Sequence, residues 1–364
     1  MSAVKNSASG PKPARGPLGR LWHAIWADWD LMQLAISVLL VVAIGFAPLV
    51  IRSPYYLGIL ILAVLYGYVG ISWNIVAGFA GQLLIAHIIF IALGAYTTVV
   101  LYTRFNIMPW IGIPASGVVA AGLGLVIALI TLRYGLKADY FALFTIALMV
   151  ALKTLFLKWE FVGAAVGMGL RLNEPSWEKM IFSTKEPYLY IGLALLLAGI
   201  LVQFWIYRSK LGKYFLALRE DEAAAAALGV NTSLYKTLAL LIGSAMGGIG
   251  GGYYMMYVTF VEPPQVFDLG LNVELVLAAP IIGGLGSLLG PVLGALINKP
   301  LAELIRGTLT AGRSGTTLIV YGAFLVASIL FMPRGITGLI QDGYLRLKRR
   351  LVPEREEEVR RDIA

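Results

Sequence analysis

Residues 187–207 read PYLYIGLALLLAGILVQFWIY and carry no charged side chain. The next residues, 208–236, read RSKLGKYFLALREDEAAAAALGVNTSLYK and hold five basic residues and three consecutive acids, after which residues 237–261 are again uncharged. A helix needs about 20 apolar residues to cross a bilayer, so both flanks are long enough to span a membrane. The sequence therefore predicts two transmembrane helices joined by a polar insert, residues 208–236, that lies outside the membrane.

The composition of the whole chain is typical of a membrane protein. Of its 364 residues, 59% are hydrophobic and 13% are charged, against roughly 25% charged in soluble domains, and the mean hydropathy is +0.81. Other long uncharged runs cover residues 31–51, 53–103, 105–132, 275–298 and 314–333. Because a backbone in lipid must satisfy its own hydrogen bonds, each crossing is expected to be a helix. The predicted fold is an all-α polytopic membrane protein with about ten transmembrane helices, some interrupted by glycines.

The distribution of basic residues predicts which loops face the cytosol. Residues 1–30 are rich in Pro, Gly and Ser and do not look like a cleaved signal, so we expect a disordered cytosolic tail. Counting the crossings from that side places the insert in the cytosol and residues 158–186, with four acids and four bases, outside. Residues 31–340 form the predicted transmembrane domain and 341–364 a charged cytosolic tail, so that both termini lie inside.

The last third of the chain leaves the number of spans open. The C-terminal tail ends inside only if residues 271–306 cross twice, which gives ten spans; a nine-span arrangement with the tail outside is the alternative. The sequence GGLGSLLGP at 283–291 would break or bend a helix, as two short crossings require.

A weak internal repeat links the two halves of the chain. GFAGQLL at 78–84 and GGLGSLL at 283–289 share the pattern Gly-x-x-Gly-polar-Leu-Leu. Interrupted helices at corresponding places in two halves point to a transport pathway. Small residues also serve ordinary helix packing, so the packing interpretation stays open beside it.

Several classes of function find little support in the sequence. The net charge of +9 lies mainly in tails and short loops, which membrane topology explains better than nucleic-acid binding. The chain has no cysteine, only two histidines, and no Gly-x-x-x-x-Gly-Lys-Ser/Thr loop for ATP. Its acids fall in loops without a pairing that suggests general acid and base chemistry. We therefore expect no catalytic residues, no metal site and no nucleic-acid partner.

Three ionisable residues fall within or beside the predicted spans. A charge at the centre of a bilayer is costly, so each calls for a functional hypothesis. His87 can stay neutral and bond a neighbouring helix, or it can line a route through the membrane. Glu274 lies a few residues beyond Asp268, which makes it either interfacial or part of such a route. Lys153 is close enough to the surface for its ammonium to reach water.

The polar insert favours helix. Residues 219–228 have acids near their start and are rich in alanine, and Gly229 offers a C-terminal stop. The segment Asn231-Thr232-Ser233 can cap the helix that follows. The expected result is a short helix outside the membrane with a small-residue surface that a partner could approach. The alternative is a solvated connector.

The insert contains SKLGK at 209–213, LREDEAA at 218–224 and LGV at 228–230. Elsewhere the chain contains GFAGQ at 78–82, YFA at 140–142, GGLGS at 283–287 and PRG at 333–335. Together these motifs resemble the permease subunits of branched-chain amino acid ABC importers, and the resemblance covers most of the chain.

That resemblance implies an import permease in the bacterial inner membrane. It would pair with a second homologous permease subunit, two ATPase subunits and a periplasmic solute-binding protein. ATP would bind to the ATPase subunits, with no cofactor on this chain. The residues implied to couple to the ATPase are Arg219, Glu220, Asp221, Glu222, Ala223, Ala224 and Gly229. The residues expected along the translocation pathway are Asn74, Gly81, Gln82, His87, Asn272, Glu274, Gly283, Gly286 and Ser287.

Departures from the family pattern bear on the solute. The family usually has Ser and Gly where this chain has Leu84 and Ala86, and an acid where it has Val150. Branched-chain or other hydrophobic amino acids are the leading expectation, and urea, short amides or aromatic acids are the alternative. A stand-alone channel or secondary carrier is a different class, which would not need a docking helix and would transport without ATPases.

Overall fold

The computed structural model describes residues 29–136, 138–170, 174–309 and 314–351. These residues are almost entirely helical, and eight of their helices are long and apolar enough to cross a membrane, so the predicted all-α polytopic class is confirmed. The predicted tail at residues 1–30 lies outside the described residues except for Trp29 and Asp30, which begin the first helix. Residues 352–364 of the charged tail also lie outside them.

The first half of the chain forms six helices. They are α1 (Trp29–Gly45), α2 (Ala47–Val50), α3 (Pro54–Trp73, continued by a π-helix over Asn74–Phe79), α4 (Ile88–Phe105), α5 (Pro109–Arg133) and α6 (Ala138–Lys158). A connecting region then contains the 3-10 turns Glu160–Val162 and Ala164–Val166 and the two-residue strand β1 (Met168–Gly169).

The second half alternates long and short helices. They are α7 (Glu186–Arg208), α8 (Lys210–Glu220), α9 (Glu222–Ala227), α10 (Thr232–Val258), α11 (Pro263–Val266), α12 (Leu269–Asn272, continued by a π-helix over Val273–Leu277), α13 (Ala278–Gly283), α14 (Gly290–Leu304, continued by a π-helix over Ile305–Leu309), α15 (Ser314–Phe331) and α16 (Gly335–Leu351). Strand β2 (Phe260–Val261) follows α10 and pairs antiparallel with β1.

The two ends of the bundle differ in character. We call the end that carries α8 and α9 the insert end and the opposite end the far end. Because α10 starts beside α9 and runs through the bundle, the pairing of Met168 with Val261 lies at the far end. It ties the connection between α6 and α7 to the segment that follows α10.

Glycines allow α10 to lie against α4 and α5. A side chain on Gly94 of α4 would collide with the backbone of Gly248 of α10. The Ser116 hydroxyl on α5 donates to the Gly248 carbonyl at 2.9 Å. Small residues and interhelical hydrogen bonds of this kind drive helix packing in membranes.

Helix α3 occupies the middle of the bundle, and most of its residues are buried. Gly67 lets it approach Leu196 of α7 and Ala295 of α14, and Gly70 lies against Pro280 of α13. Helix α3 therefore joins the first half of the chain to the second, and it ends at the insert end with the π-helix Asn74–Phe79.

Two boundaries differ from the sequence prediction. The uncharged run 53–103 was expected to cross the membrane as helix, but residues 80–87 within it are not helical and α4 begins at Ile88. The backbone of Gly81 has a φ of +68°, which is outside the helical region. The expected single helix over residues 219–228 is also wrong, because α8 ends at Glu220 and α9 begins at Glu222.

The last third contains shorter helices than a full crossing. The apolar segments Leu269–Gly283 and 290–309 flank a non-helical stretch at residues 284–289. This interruption was expected from the glycines. Eight long helices and these two segments are compatible with ten crossings, and the total of ten stays a prediction.

Candidate functional site

Each helix of the polar insert has a local capping signal. The Ser209 hydroxyl accepts from the Gly212 amide at 3.4 Å and caps α8. Asp221 adopts an extended conformation, and its carboxylate accepts from the Ala224 amide at 3.0 Å, which starts α9. Asp221 therefore divides the predicted helix because its side chain caps a new one.

The end of α9 follows the sequence prediction. Gly229 has a φ of +87°, as expected for the glycine that stops a helix. The Asn231 side chain accepts from the Leu234 amide at 3.0 Å and caps α10, as expected. Helix α9 is thus a single short element held between two defined turns.

Helix α9 presents a small apolar surface to its surroundings. The exposed residues are Ala223, Ala224, Ala226, Ala227 and Leu228, and we call them the α9 surface. The Leu228 side chain is 87% exposed, although it is apolar. Ala225 faces inward and is buried. The Lys236 ammonium on α10 pairs with the Glu222 carboxylate at 2.5 Å, which fixes α9 against α10.

Arg219 points from the last turn of α8 toward the bundle. Its Nη1 atom donates to the backbone carbonyl of Gly78 at 2.7 Å. A Cβ atom on Gly81 would lie 3.0 Å from the Arg219 Cα atom, and one on Gly286 would collide with Nη1. The two glycines therefore accommodate this arginine, which connects the insert to two non-helical stretches at once.

We call these stretches the first break (residues 80–87) and the second break (residues 284–289). The internal repeat predicted from sequence covers the start of the first break and the whole of the second, and the structure brings the two copies together. The Asn74 side chain donates to the Ser287 carbonyl at 3.0 Å and accepts from the Gly286 amide at 2.8 Å. The Gln203 amide on α7 donates to the same Ser287 carbonyl at 3.0 Å.

The first break is held by one of its own side chains and by side chains from two other elements. Gln82 donates to the Lys236 carbonyl at 2.8 Å, and the Trp73 indole donates to the Leu84 carbonyl at 2.7 Å. Asn272 donates to the Ile85 carbonyl at 2.5 Å and accepts from the Ile88 amide at 2.9 Å, so it caps the start of α4. The non-helical backbone of this break therefore has internal hydrogen-bond partners, as backbone at membrane depth requires.

His87 ends the first break and is fully buried. Its Nε2 atom lies 2.8 Å from the Ser72 hydroxyl on α3, while no protein partner is found for Nδ1 among the described residues. The ring also makes an edge contact with Phe90. The contact with Ser72 matches the predicted bond from a neutral His87 to a neighbouring helix.

The second break is organised around Ser287. Its hydroxyl donates to the Gly284 carbonyl at 2.7 Å and accepts from the Gly290 amide at 3.0 Å, which starts α14. Thr337 of α16 donates to the same hydroxyl at 3.2 Å. Gly284 and Gly286 have φ values of +122° and +79°, which other residue types rarely adopt. Gly283 lies directly against the backbone of Gly290.

Glu274 lies in a cluster of four charged side chains, of which Glu274 and Lys299 are buried, Glu303 is partly buried and Arg306 is exposed. Its carboxylate pairs with the Lys299 ammonium at 3.3 Å and with the Arg306 guanidinium. Glu303 pairs with Lys299 at 2.6 Å and with Arg306 at 3.2 Å. The Lys299 side chain is only 3% exposed. Two acids and two bases give a neutral cluster, which lowers the cost of burying it.

Hydrogen bonds extend this cluster to three helices. The Asn298 side chain donates to the Glu274 carbonyl at 3.0 Å and accepts from the Tyr321 hydroxyl of α15 at 2.7 Å. Lys299, Glu303 and Arg306 were not predicted as site residues from the sequence. Their spacing of four and three residues on one helix, opposite an acid on the preceding helix, was the available signal.

A cavity of about 370 Å³ opens at the insert end. Its lining includes Gln82 of the first break, Leu132 of α5, Phe141 of α6, and the Glu222–Lys236 pair. The cavity leaves space between the insert and the ends of α5 and α6. Within the described part of the chain, no three His, Asp or Glu side chains come together as they would to hold a metal ion.

The fold and this site define a class of protein. A polytopic helical bundle with an extramembrane insert, joined to two interrupted helices, has the features of a membrane transport component. Residues 55–329 match the family described as the permease component of the branched-chain amino acid transport system. The chain belongs to that family.

Individual relatives cover most of the chain. The permease protein LivM of the high-affinity branched-chain amino acid transport system of Salmonella typhimurium is 28% identical over 92% of this chain and 80% of its own length. The protein of the same name from Escherichia coli is 28% identical over 91% of this chain and 79% of its own. The probable permease LivH of Methanocaldococcus jannaschii is 26% identical over 71% and 82%. No solved structure matches the chain.

Proposed function

We propose that this chain is the permease subunit of an ATP-driven ABC importer that carries branched-chain or other hydrophobic amino acids across the bacterial inner membrane. The family and the names of its relatives support this solute class. The structural observation that carries the proposal is the insert, which exposes the α9 surface on one side and contacts both breaks through Arg219 on the other.

The partners follow from the same assignment. Escherichia coli has two related proteins, LivM and LivH, that are both named as permeases of this transport system. We therefore propose that this chain pairs with a second, homologous permease subunit. Two ATPase subunits would bind the ATP, and a periplasmic solute-binding protein would deliver the amino acid. The insert and both termini would face the cytosol, because their basic residues favour that side.

The proposed mechanism uses α9 as the docking element. The coupling group predicted from sequence divides into Glu220 to Ala224, which lie on the outside with the α9 surface, and Arg219, whose guanidinium also bonds the Gly78 carbonyl of the bundle. Closure of the ATPase subunits on ATP would displace α9, and the insert would pass that displacement to the breaks. A change at the breaks would alter how α3 and α13 meet, and so switch the pathway between its two sides.

The predicted pathway residues do not offer a ready site for a free amino acid. The side chains of Asn74, Gln82 and Asn272 hydrogen-bond to backbone groups of this chain, and His87 contacts Ser72. A zwitterion needs partners for both its ammonium and its carboxylate. Selection of the solute would therefore belong to the binding protein.

Uptake in cells tests the proposal. A strain that lacks the gene should take up radiolabelled leucine more slowly than its parent, and a plasmid copy should restore the rate. Competition with unlabelled isoleucine, valine, urea, a short amide and an aromatic acid would then identify the solute class. Undiminished leucine uptake in the deletion strain, together with loss of another solute from the panel, would contradict the amino acid assignment.

A further inference from the structure

The charged residues that open α9 and close α8 have different surroundings. The Glu220 side chain is 78% exposed, and Glu222 pairs with Lys236 at the start of α10. The Arg219 side chain is 38% exposed and its Nε atom lies 4.0 Å from the Glu220 carboxylate, but its Nη1 atom reaches the end of α3 and donates to the Gly78 carbonyl at 2.7 Å. Arg219 thus belongs to the insert by sequence and to the two breaks by contact.

The Gly78 carbonyl is suited to a cation. It lies in the last turn of the π-helix Asn74–Phe79. The backbone N–H of Gln82, four residues later, donates to the Val76 carbonyl and not to that of Gly78. Carbonyls at the C-terminal end of a helix lack partners within the helix and carry partial negative charge. A hydrogen bond from a guanidinium to such a group is stronger than one between neutral groups.

The contact extends from one break to the other. The Arg219 backbone lies against Gly81, and its guanidinium lies against Gly286, so each break has a glycine where the arginine passes. Asn74 then bonds Gly286 and Ser287 directly. A displacement of Arg219 would therefore act on both breaks together.

The position of Arg219 in the insert favours this role. Helix α8 is anchored by the buried side chains of Phe215 and Leu218, whereas α9 exposes four of its alanines. Asp221 is the one extended residue between the two helices. Arg219 therefore lies two residues before the joint at which a movement of α9 would reach the bundle.

We propose that Arg219 is the positioning residue that transmits the movement of α9 to both helix breaks. This inference rests on the proposed function, because it assumes that a partner moves α9. It predicts that loss of the guanidinium separates ATP hydrolysis from transport, while the α9 surface and its docking stay intact.

The test compares Arg219→Ala and Arg219→Lys with Lys213→Ala in the whole transporter reconstituted in liposomes. Lys213 is exposed on the same helix, so its loss removes one positive charge without touching the breaks. We expect the ratio of solute imported to ATP hydrolysed to fall about tenfold in Arg219→Ala, as loss of one charge-assisted hydrogen bond would allow. The ratio for Arg219→Lys should lie between those of the wild type and Arg219→Ala. The lysine ammonium can still donate to the Gly78 carbonyl, but it lacks the planar array of donors of a guanidinium.

The ratio is measured per assembled complex, so that a merely structural role would not change it. Lost packing would reduce the amount of complex recovered and leave import per ATP unchanged. Should Arg219→Ala fail to assemble, Arg219→Lys gives the same comparison. An unchanged ratio in the assembled Arg219 variants, with Lys213→Ala also unchanged, would overturn the inference.

Distance measurements on the chain alone provide a readout that needs no transport. The sequence has no cysteine, so spin labels can be placed at Ala226→Cys on α9 and Leu285→Cys in the second break, both exposed. In nanodiscs we expect one narrow distance distribution with Arg219 present and a broader, shifted one in Arg219→Ala. Identical distributions would overturn the inference. A wild-type transporter with no ATP-driven uptake but a narrow distribution would refute the proposed function instead.

Discussion

The Asn74 side chain donates a 3.0 Å hydrogen bond to the backbone carbonyl of Ser287, which lies 213 residues further along the chain. The same amide group accepts from the Gly286 backbone at 2.8 Å. The Asn74 side chain at the end of α3 thus bonds two backbone groups of the second break, which is not helical. The two glycine-interrupted segments form one junction at the insert end.

Loss of this side chain should weaken the junction. Asn74→Ala leaves the partly buried Gly286 amide without its partner, which costs about 1 kcal/mol, the lower end of the range for a buried group. We expect a lower midpoint of thermal unfolding in detergent and a loss of transport. Gln341→Ala removes an exposed amide from α16 and serves as the control. An Asn74→Ala protein as stable as this control would show that the junction does not depend on Asn74.

The buried charges predict a second stability effect. Lys299→Met leaves Glu274 and Glu303 with Arg306 as their shared basic partner within the cluster, and breaking a buried pair costs about 3–5 kcal/mol. Lys299→Met together with Glu303→Gln restores neutrality, so the double variant should be more stable than the single one. The comparison uses unfolding midpoints of the purified proteins. Equal midpoints for both variants would mean that charge balance does not control the stability of this cluster.

The sequence predicted the helical class, the two interrupted segments and the caps at Gly229 and Asn231, because these features depend on local composition and on turn chemistry. The cluster around Glu274 was not predicted in this form, because its members become neighbours only when α12 and α14 pack together. The meeting of the breaks through Asn74 also needed the three-dimensional structure. A repeat in sequence indicates similar segments and carries no information on whether they touch.

The structure also changes how the insert should be tested. Glu222→Lys places a positive charge at the proposed docking surface, but it also breaks the pair between Glu222 and Lys236. The combined exchange Glu222→Lys with Lys236→Glu restores that pair. We expect Glu222→Lys alone to reduce solute-stimulated ATP hydrolysis and the exchange to stay defective, because the positive charge at the docking surface remains. Recovery in the exchange would assign the defect to the bridge within the chain.

Proline at Gly229 should have a larger effect. Gly229 has a φ of +87°, whereas proline is fixed near −65°, so Gly229→Pro cannot keep the turn that ends α9. We expect normal insertion into the membrane and a loss of stimulated ATP hydrolysis. Gly229→Ala is the control, because alanine keeps the backbone amide that proline removes and should disturb the turn less. Full uptake by Gly229→Pro would indicate that the insert is only a connector.

The predicted sidedness can be tested by labelling single cysteines. Leu228→Cys lies in the α9 surface and Val166→Cys in the connection after α6, and these residues are 87% and 81% exposed. Ala225 of the same helix is buried, so a cysteine there would be shielded from the label. An impermeant maleimide should label Val166→Cys in spheroplasts and Leu228→Cys only after permeabilisation. Labelling of Leu228→Cys in intact spheroplasts would contradict a cytosolic insert.

The most direct test of ATP-driven import through this chain is leucine uptake into proteoliposomes of defined composition. We predict that the purified chain alone neither accumulates leucine nor binds it at micromolar concentrations by calorimetry. Accumulation should appear only when the second permease, the ATPase subunits, the binding protein and ATP are all present. Leucine uptake or tight binding by the isolated chain without ATP would contradict the account and favour a secondary carrier.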